Sequence, residues 1–98
     1  MTITKTQQGS SLNIALEGRL DTITAPELEA ELKNSLDGVA GLTLDLKGLS
    51  YISSAGLRVL LCAQKTMNKQ GEMIIKNVNE TISEIFMITG FCDILTIE

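Results

Sequence analysis

The stretch "LTLDLKGLSYISSAGLRVLL", residues 42–61, joins a strand pattern to a helix pattern through two adjacent serines. Leucines alternate with other residues over positions 42–46, which is typical of a half-buried strand. Apolar residues then recur at helical spacing over positions 55–71, with a glycine where the helix is predicted to end. A strand followed directly by a helix begins a β-α-β unit, in which the two strands pair in parallel.

The alternation of strands and helices continues on both sides of this stretch. Turn residues at positions 9 and 10 separate two further strand patterns, which predicts a hairpin. The predicted elements are strands at 2–6 and 11–18, a helix at 24–38, a strand at 42–46, a helix at 55–71, a strand at 72–78, a helix at 79–90 and a strand at 94–98. The order β-β-α-β-α-β-α-β predicts an α/β fold in one domain over residues 1–98. Its mixed sheet has an antiparallel first hairpin, mainly parallel strands elsewhere, and helices packed around it.

Two of the predicted helices begin with capping residues. Thr24 is a candidate N-cap for the first helix, and Glu27, three residues later, completes the pattern of a capping box. Asn79 is a candidate N-cap for the third helix, which Gly90 is expected to end.

Composition excludes several classes of partner and location. The 98 residues carry a net charge of −4, and the eight Lys and Arg residues form no cluster. Nucleic acids and anionic membranes bind basic patches, so neither is expected as a partner. The first residues lack the apolar core of a signal peptide and no apolar run could span a membrane, so we expect a cytoplasmic protein. Cys62 and Cys92 lie among apolar residues, and we expect both to be reduced and buried.

The common catalytic and cofactor motifs are missing from the sequence. There is no histidine, so neither a Ser-His-Asp triad nor a Cys-His pair can form. No Gly-x-Ser-x-Gly, glycine-rich phosphate loop or zinc-ligand spacing occurs. We therefore expect no catalytic residues, no metal and no cofactor, and a protein that is not an enzyme.

Two predicted loops, residues 18–24 and 47–56, follow the carboxyl ends of parallel strands, where functional loops of such sheets tend to lie. Within the second loop, Ser54 has two interpretations. It can cap the following helix by accepting a hydrogen bond from a free backbone N–H. It can also accept a phosphate, because free N–H groups and the positive end of the helix dipole favour an anion there. The residues alone leave both interpretations open.

Three segments, in order along the chain, resemble the signature of the STAS domain, the sulphate-transporter and anti-sigma-factor-antagonist family. They are "GRLDTITAPEL", "LDLKGLSYISSAGLRVLL", in which Asp45 is the signature's strand Asp, and "ITGFCDILTI". Together they cover nearly all of the chain. The resemblance implies the mixed sheet packed with helices that the element order predicts.

The resemblance also implies a function, since free-standing members of this bacterial family act in partner switching. The unphosphorylated protein binds an anti-sigma factor that is also a serine kinase, and so frees a sigma factor. The kinase phosphorylates the serine that maps onto Ser54, and a PP2C-type phosphatase removes the phosphate. The implied partner-binding residues are Asp21, Thr22, Thr24, Ser53, Ser54, Ala55, Gly56, Leu57 and Arg58.

Two residues depart from the family pattern. Ser53 stands where the family usually has Asp, which makes Ser53 a rival phosphate acceptor. Arg58 replaces a residue that is often small, and it lies four positions after Ser54, so both share one side of a helix. Arg58 either binds the phosphate or is a solvated surface arginine.

The resemblance is also compatible with a second function. STAS proteins also serve as subunits of membrane transporters such as ABC-type lipid systems, and in such a subunit Ser54 would be only a helix cap.

Overall fold

The computed structural model describes residues 1–98, the whole of the chain. Five strands and three helices follow one another in the predicted order. They are β1 (Thr2–Gln8), β2 (Ser11–Leu20), α1 (Ala25–Ser35), β3 (Gly41–Ile52), α2 (Ser54–Gln70), β4 (Glu72–Lys76), α3 (Glu80–Thr89) and β5 (Thr96–Ile97). A short 3₁₀ turn, Phe91–Asp93, separates α3 from β5 and makes the last strand shorter than expected.

The sheet has the strand order β1-β2-β3-β4-β5. β1 pairs with β2 in antiparallel orientation, and every other neighbouring pair is parallel. The predicted α/β fold with a mixed sheet is therefore confirmed. Each helix connects two neighbouring parallel strands, so the carboxyl ends of β2, β3 and β4 meet at one edge of the sheet.

One face of the sheet is buried and the other is open. On β2 and β3 the buried positions alternate with half-buried or exposed ones, as Leu42 and Leu44 alternate with Thr43 and Asp45. The core on the covered face is almost wholly aliphatic, and Phe86 is its one aromatic member. Branched aliphatic side chains on a pleated sheet thus supply most of the burial that stabilises the fold.

β2 and β3 extend further than the sequence pattern indicates. Register shifts occur between Ala15 and Glu17 and between Gly18 and Arg19, because β3 contributes extra residues opposite β2. Such bulges break the two-residue period, and the buried residues at the end of β3 are Leu46, Leu49 and Ile52. The predicted loops 18–24 and 47–56 were therefore too long: residues 18–20 belong to β2 and residues 47–52 belong to β3.

The expected burial of the two cysteines is wrong. Cys62 is exposed on α2 and Cys92 is exposed in the 3₁₀ turn. On α2 the neighbours Val59 and Ala63 point into the core instead, so the rotation of the helix leaves Cys62 outside. No helix is long and apolar enough to cross a membrane.

Candidate binding and modification site

The segment after β2 and the first residues after β3 lie side by side at the carboxyl edge of the sheet. The backbone N–H of Ser53 donates to the carbonyl of Leu20 at 2.8 Å, which joins the ends of the two strands. Only Ser53 separates β3 from α2, whereas Asp21–Thr24 links β2 to α1. We call Asp21–Thr24 together with Ser53, Ser54 and Arg58 the serine surface.

Ser53, and not Ser54, is the N-cap of α2. Ser53 has the extended backbone of a cap, with φ −97° and ψ 176°, and its Oγ accepts from the N–H of Gly56 at 3.4 Å. Ser54 is already the first helical residue. The prediction that Ser54 caps the helix is therefore wrong by one position, since a cap side chain can bond the first turn only from a non-helical residue.

The hydroxyl of Ser54 is free in the structure. Ser54 is exposed and its side chain makes no hydrogen bond. The backbone N–H groups of Ser54 and Ala55 donate to no acceptor in the protein. The first turn of α2 contains no acidic side chain. Unpaired amides and an uncompensated positive dipole end together give Ser54 an environment that favours an added anion.

Gly56 lets α2 begin close to the strand ends. A Cβ at this position would lie 2.7 Å from Cγ of Leu20 and 2.9 Å from Cγ1 of Ile52, well inside normal contact. The buried Gly56 therefore fixes how far Ser54 stands above the sheet edge.

The segment Asp21–Thr24 is held by a local hydrogen-bond network. Oδ1 of Asp21 accepts from the N–H groups of Ile23 and Thr24, both at 3.0 Å. The Thr24 hydroxyl accepts from the Asp21 N–H at 2.8 Å and donates to the carbonyl of Arg19 at 2.7 Å. Because this hydroxyl serves the turn, Thr24 makes no side-chain cap bond on α1, and the predicted capping box is wrong. The hydrogen bond that the Thr24 backbone N–H donates to Asp21 is the main cause that lowers the pKa of Asp21. The hydrogen bond from the Ile23 N–H lowers this pKa as well.

Two arginines stand beside these segments in different environments. Arg19 lies over the ring of Tyr51, 4.5 Å from its centroid, and its Nε is 3.7 Å from Oδ2 of Asp21. Arg58 is exposed and takes part in no ion pair or side-chain hydrogen bond. Arg58 is therefore an uncommitted cation about one turn after Ser54 on the same helix.

The structure divides the other predicted partner-binding residues by exposure. Thr22 is exposed and Ala55 is half-buried, so both can touch a partner. Gly56 and Leu57 are buried and can only support the surface from beneath. Asp45, the strand residue of the signature, lies on the open face, where it accepts from the Asn77 amide at 2.8 Å.

Ile23, which was not among the predicted site residues, is 84% exposed within the segment Asp21–Thr24. The signal that could have found it is an isolated apolar residue within the polar segment "DTIT". An apolar side chain in a short connection between a strand and a helix has no strand or helix face to bury it.

Metal-ligand clusters and grooves were compared with the position of the serine surface. No group of three or more His, Cys, Asp or Glu residues comes together to bind a metal. A groove of about 420 Å³ lies between α1 and α2 and includes Leu32, Val59 and Cys62, but no residue of the serine surface.

Comparisons with known proteins agree with this geometry. The family model described as STAS domain matches residues 2–98. BtrV of Bordetella bronchiseptica is 37% identical over 99 residues, covering 99% of this chain and 85% of that protein. The anti-sigma-B factor antagonist of Bacillus subtilis is 33% identical over 92 residues, covering 93% of this chain and 84% of that protein.

Solved structures share the fold. The unphosphorylated form of the anti-sigma factor antagonist SpoIIAA superposes with a TM-score of 0.78 at 17% identity, covering 99% of this chain and 87% of that one. The phosphorylated form of SpoIIAA, from Bacillus, gives a TM-score of 0.77 at 18% identity, covering 99% of this chain and 91% of that one.

Proposed function

The chain belongs to the STAS domain family, and from that membership we propose that it is an anti-sigma-factor antagonist acting by partner switching. In the unphosphorylated form it binds an anti-sigma factor that is also a serine kinase, and this releases a sigma factor. The kinase transfers the γ-phosphate of ATP to Ser54, and the complex separates. A PP2C-type phosphatase restores the binding form. In this proposal the chain is a cytoplasmic binding protein and kinase substrate, not an enzyme.

The observation that carries the proposal is the different use of the two serines. The Ser53 hydroxyl is occupied by the cap bond to Gly56, whereas the Ser54 hydroxyl is exposed and unbonded. A kinase can therefore reach Ser54 without opening the helix, and the phosphate it adds meets free N–H groups. Ser53, the rival acceptor, would have to lose its cap bond first.

The chemistry of the phosphate explains the release of the partner. A phosphoserine carries about −1.5 to −2 charges at pH 7. In the free protein, water and the helix end solvate this charge, so the fold tolerates it. In a complex that covers Ser54, the same charge would have to lose its water, which costs several kcal/mol unless the partner supplies a matching cation.

The transporter-subunit alternative gains no support from these observations. It assigned Ser54 a purely structural role as helix cap, and that role belongs to Ser53. Two relatives, from Bacillus subtilis and Staphylococcus aureus, are named anti-sigma-B factor antagonists.

The proposal is tested by incubating the protein with each anti-sigma kinase encoded in the same genome and ATP, followed by mapping of the phosphate by mass spectrometry. We expect phosphate on Ser54, none on Ser54→Ala, and loss of kinase binding after the modification. The matched control is Ser53→Ala, which should still be phosphorylated. Because its cap bond is long, we expect Ser53→Ala to lower the free energy of unfolding by only about 0.5–1 kcal/mol.

Two results would contradict the proposal. Phosphate on Ser53, with Ser54→Ala still modified, would exchange the roles of the two serines. No binding and no phosphorylation with any of these kinases would remove the partner-switching function itself.

A further inference from the structure

The segment that follows β4 holds most of the exposed large apolar side chains of the protein. Five such side chains are exposed in the whole chain, and four of them are Met87, Ile88, Ile94 and Ile97. Met87 and Ile88 lie on the last turn of α3, with 65% and 85% of their surface exposed. A single exposed apolar residue is ordinary, whereas several of them on one part of the surface indicate a contact with another molecule.

The outer side of α3 is covered by no other element of the protein. α1 packs against α2, whereas the main contacts of α3 are with β3 and with the 3₁₀ turn Phe91–Asp93. Phe86 is buried and faces the core, and Met87 and Ile88 follow it on the exposed side of the helix. Ile94 comes directly after the 3₁₀ turn. The exposed apolar residues therefore lie on and next to an outermost helix.

The same segment carries the whole net charge of the protein. The sequence has 12 acidic and 8 basic residues. No Lys or Arg follows Lys76, and residues 77–98 contain four of the acidic residues, so that eight of each sign remain in residues 1–76 and cancel. The four acidic residues are Glu80, Glu84, Asp93 and Glu98. None of them takes part in an ion pair.

Glu84 stands beside the exposed apolar residues. It precedes Met87 by three positions and Ile88 by four, and side chains at these spacings are neighbours on a helix surface. Asp93 directly precedes Ile94. We call Glu84, Met87, Ile88, Asp93 and Ile94 the α3 patch. It combines exposed apolar side chains with uncompensated negative charge.

Charge decides which occupant fits the α3 patch. In a two-fold contact, a second copy would bring the same acidic residues against one another, and an anionic membrane would repel them as well. Lys76 lies opposite Asp45 in the sheet and makes no ion pair with Glu84. A complementary partner has apolar side chains flanked by Lys or Arg, which is the composition of a basic amphipathic helix.

We propose that the α3 patch is a second binding surface, and that its occupant is a basic amphipathic helix of another protein. The apolar side of that helix packs against Met87 and Ile88. Its Lys or Arg side chains lie against Glu84 and Asp93. The added helix extends the layer of helices on the covered face of the sheet beyond α3.

The α3 patch is remote from the serine surface. Asn79 lies at the carboxyl edge of the sheet, where its amide donates to the carbonyl of Leu49 at 2.9 Å. Ile88 lies nine residues later, about 13 Å along α3 from that edge. A partner on the α3 patch therefore leaves Ser54 accessible. The inference goes beyond the proposed function, because it needs neither the kinase nor the phosphate.

The probe for the test is a synthetic peptide of about 18 residues, which is five helical turns, with leucines along one side of the helix and lysines along the other. Its affinity for the full chain is measured by calorimetry, and the contacted amides are identified by NMR. We expect micromolar binding with shifts centred on α3, equal for protein with and without phosphate on Ser54. The same peptide with glutamate in place of every lysine should bind roughly tenfold more weakly or worse.

Two variants with matched controls locate the contact. Ile88→Ala should weaken binding of the lysine peptide roughly tenfold. Ile23→Ala makes the same change at the same exposure and should bind the peptide like wild type. Glu84→Gln should weaken binding roughly threefold at low salt and leave it unchanged at about 1 M salt. Glu27→Gln, at an exposed and unpaired position of α1, should have no effect.

Several results would overturn the inference. They are no binding of the lysine peptide, equal affinities for the lysine and glutamate peptides, and a loss for Ile23→Ala as large as that for Ile88→Ala. A dimer in sedimentation that Ile88→Ala dissociates would assign the patch to a second copy and overturn it too. So would binding of the protein to phosphatidylcholine vesicles that Ile88→Ala abolishes. None of these results bears on phosphorylation of Ser54, so the proposed function stands or falls separately.

Discussion

Arg58 is expected to stabilise the phosphorylated protein by contact with phosphoserine 54. The two positions are four residues apart on α2, and Arg58 has no competing carboxylate. An i,i+4 pair of single charges is worth about 0.2–0.5 kcal/mol, and the phosphate carries up to about twice that charge. The pair should therefore contribute about 0.7 kcal/mol, in addition to about 1 kcal/mol from the phosphate at the helix end.

These magnitudes predict a difference in melting temperature between protein variants. In a domain of this size, 1 kcal/mol corresponds to about 4–8 °C. Phosphorylation at Ser54 should raise the melting temperature of wild type by roughly 10 °C and that of Arg58→Ala by roughly 6 °C. Each variant is compared with its own unphosphorylated form, so that the better helix propensity of alanine cancels. The phosphoserine can be introduced by the kinase or during synthesis of the chain.

The control for this measurement is Lys65→Ala on the same helix. Lys65 is exposed and unpaired, but it lies about 16 Å along the helix from Ser54, beyond the screening length of physiological salt. Its phosphorylation shift should equal that of wild type. Equal shifts for wild type and Arg58→Ala at low salt would refute the reasoning, as would a difference that persists unchanged at 1 M salt.

Two further predictions concern the support of the site and the open face of the sheet. Gly56→Ala should be less stable than wild type, because overpacking against Leu20 costs about 1–3 kcal/mol. This cost exceeds the gain of about 1 kcal/mol in helix propensity. A free energy of unfolding in urea equal to that of wild type would contradict the close packing. In Asn77→Gly the backbone can keep its positive φ of 59°, because glycine adopts this conformation readily. The substitution removes the side-chain amide whose hydrogen bond to Asp45 is the main cause of the lowered pKa of Asp45. The stabilisation from Asp45 is present above its ordinary pKa of 3.8 and is lost as the pH falls through the lower value of the folded state. In Asn77→Gly the pKa of Asp45, measured by NMR titration, should rise toward 3.8, and an unchanged value would show that the Asn77 bond is not the cause.

The sequence was sufficient to predict the elements and their order, because each has a clear period and turn residues at its ends. It was not sufficient to predict where β3 ends. Lys47 and Gly48 look like a turn, yet they lie in the strand. A Cβ at Gly48 would stand 2.6 Å from Cγ of Glu17 on β2, so this glycine makes room for a neighbouring strand. Pattern alone cannot distinguish that use of glycine from a turn.

Three local details of the sequence interpretation were wrong: the cap of α2, the cap of α1 and the burial of Cys62. Which serine caps α2 depends on where β3 stops, and the bond from Ser53 to Leu20 fixes that point. Whether Thr24 caps α1 depends on which N–H its hydroxyl accepts from. The hydroxyl accepts from the N–H of Asp21 and not from an N–H of the first turn of α1. The exposure of Cys62 depends on the rotation of α2 against α1. The Thr24 bonds lie within five residues of one another, whereas the other two details depend on contacts between elements that are distant in the sequence.

The departures from the family pattern at Ser53 and Arg58 both make the start of α2 more favourable for a negatively charged phosphate. An Asp at position 53 would cap α2 equally well, but its carboxylate would stand next to a phosphate on Ser54 and repel it. The neutral hydroxyl of Ser53 keeps the cap bond to Gly56 and leaves the positive helix end uncompensated. Arg58 adds a free cation one turn further on. In the proposed switch the cap and the acceptor are separate residues. We therefore expect the start of α2 to be the same with and without the phosphate, so that a partner encounters a change of surface charge and not of fold.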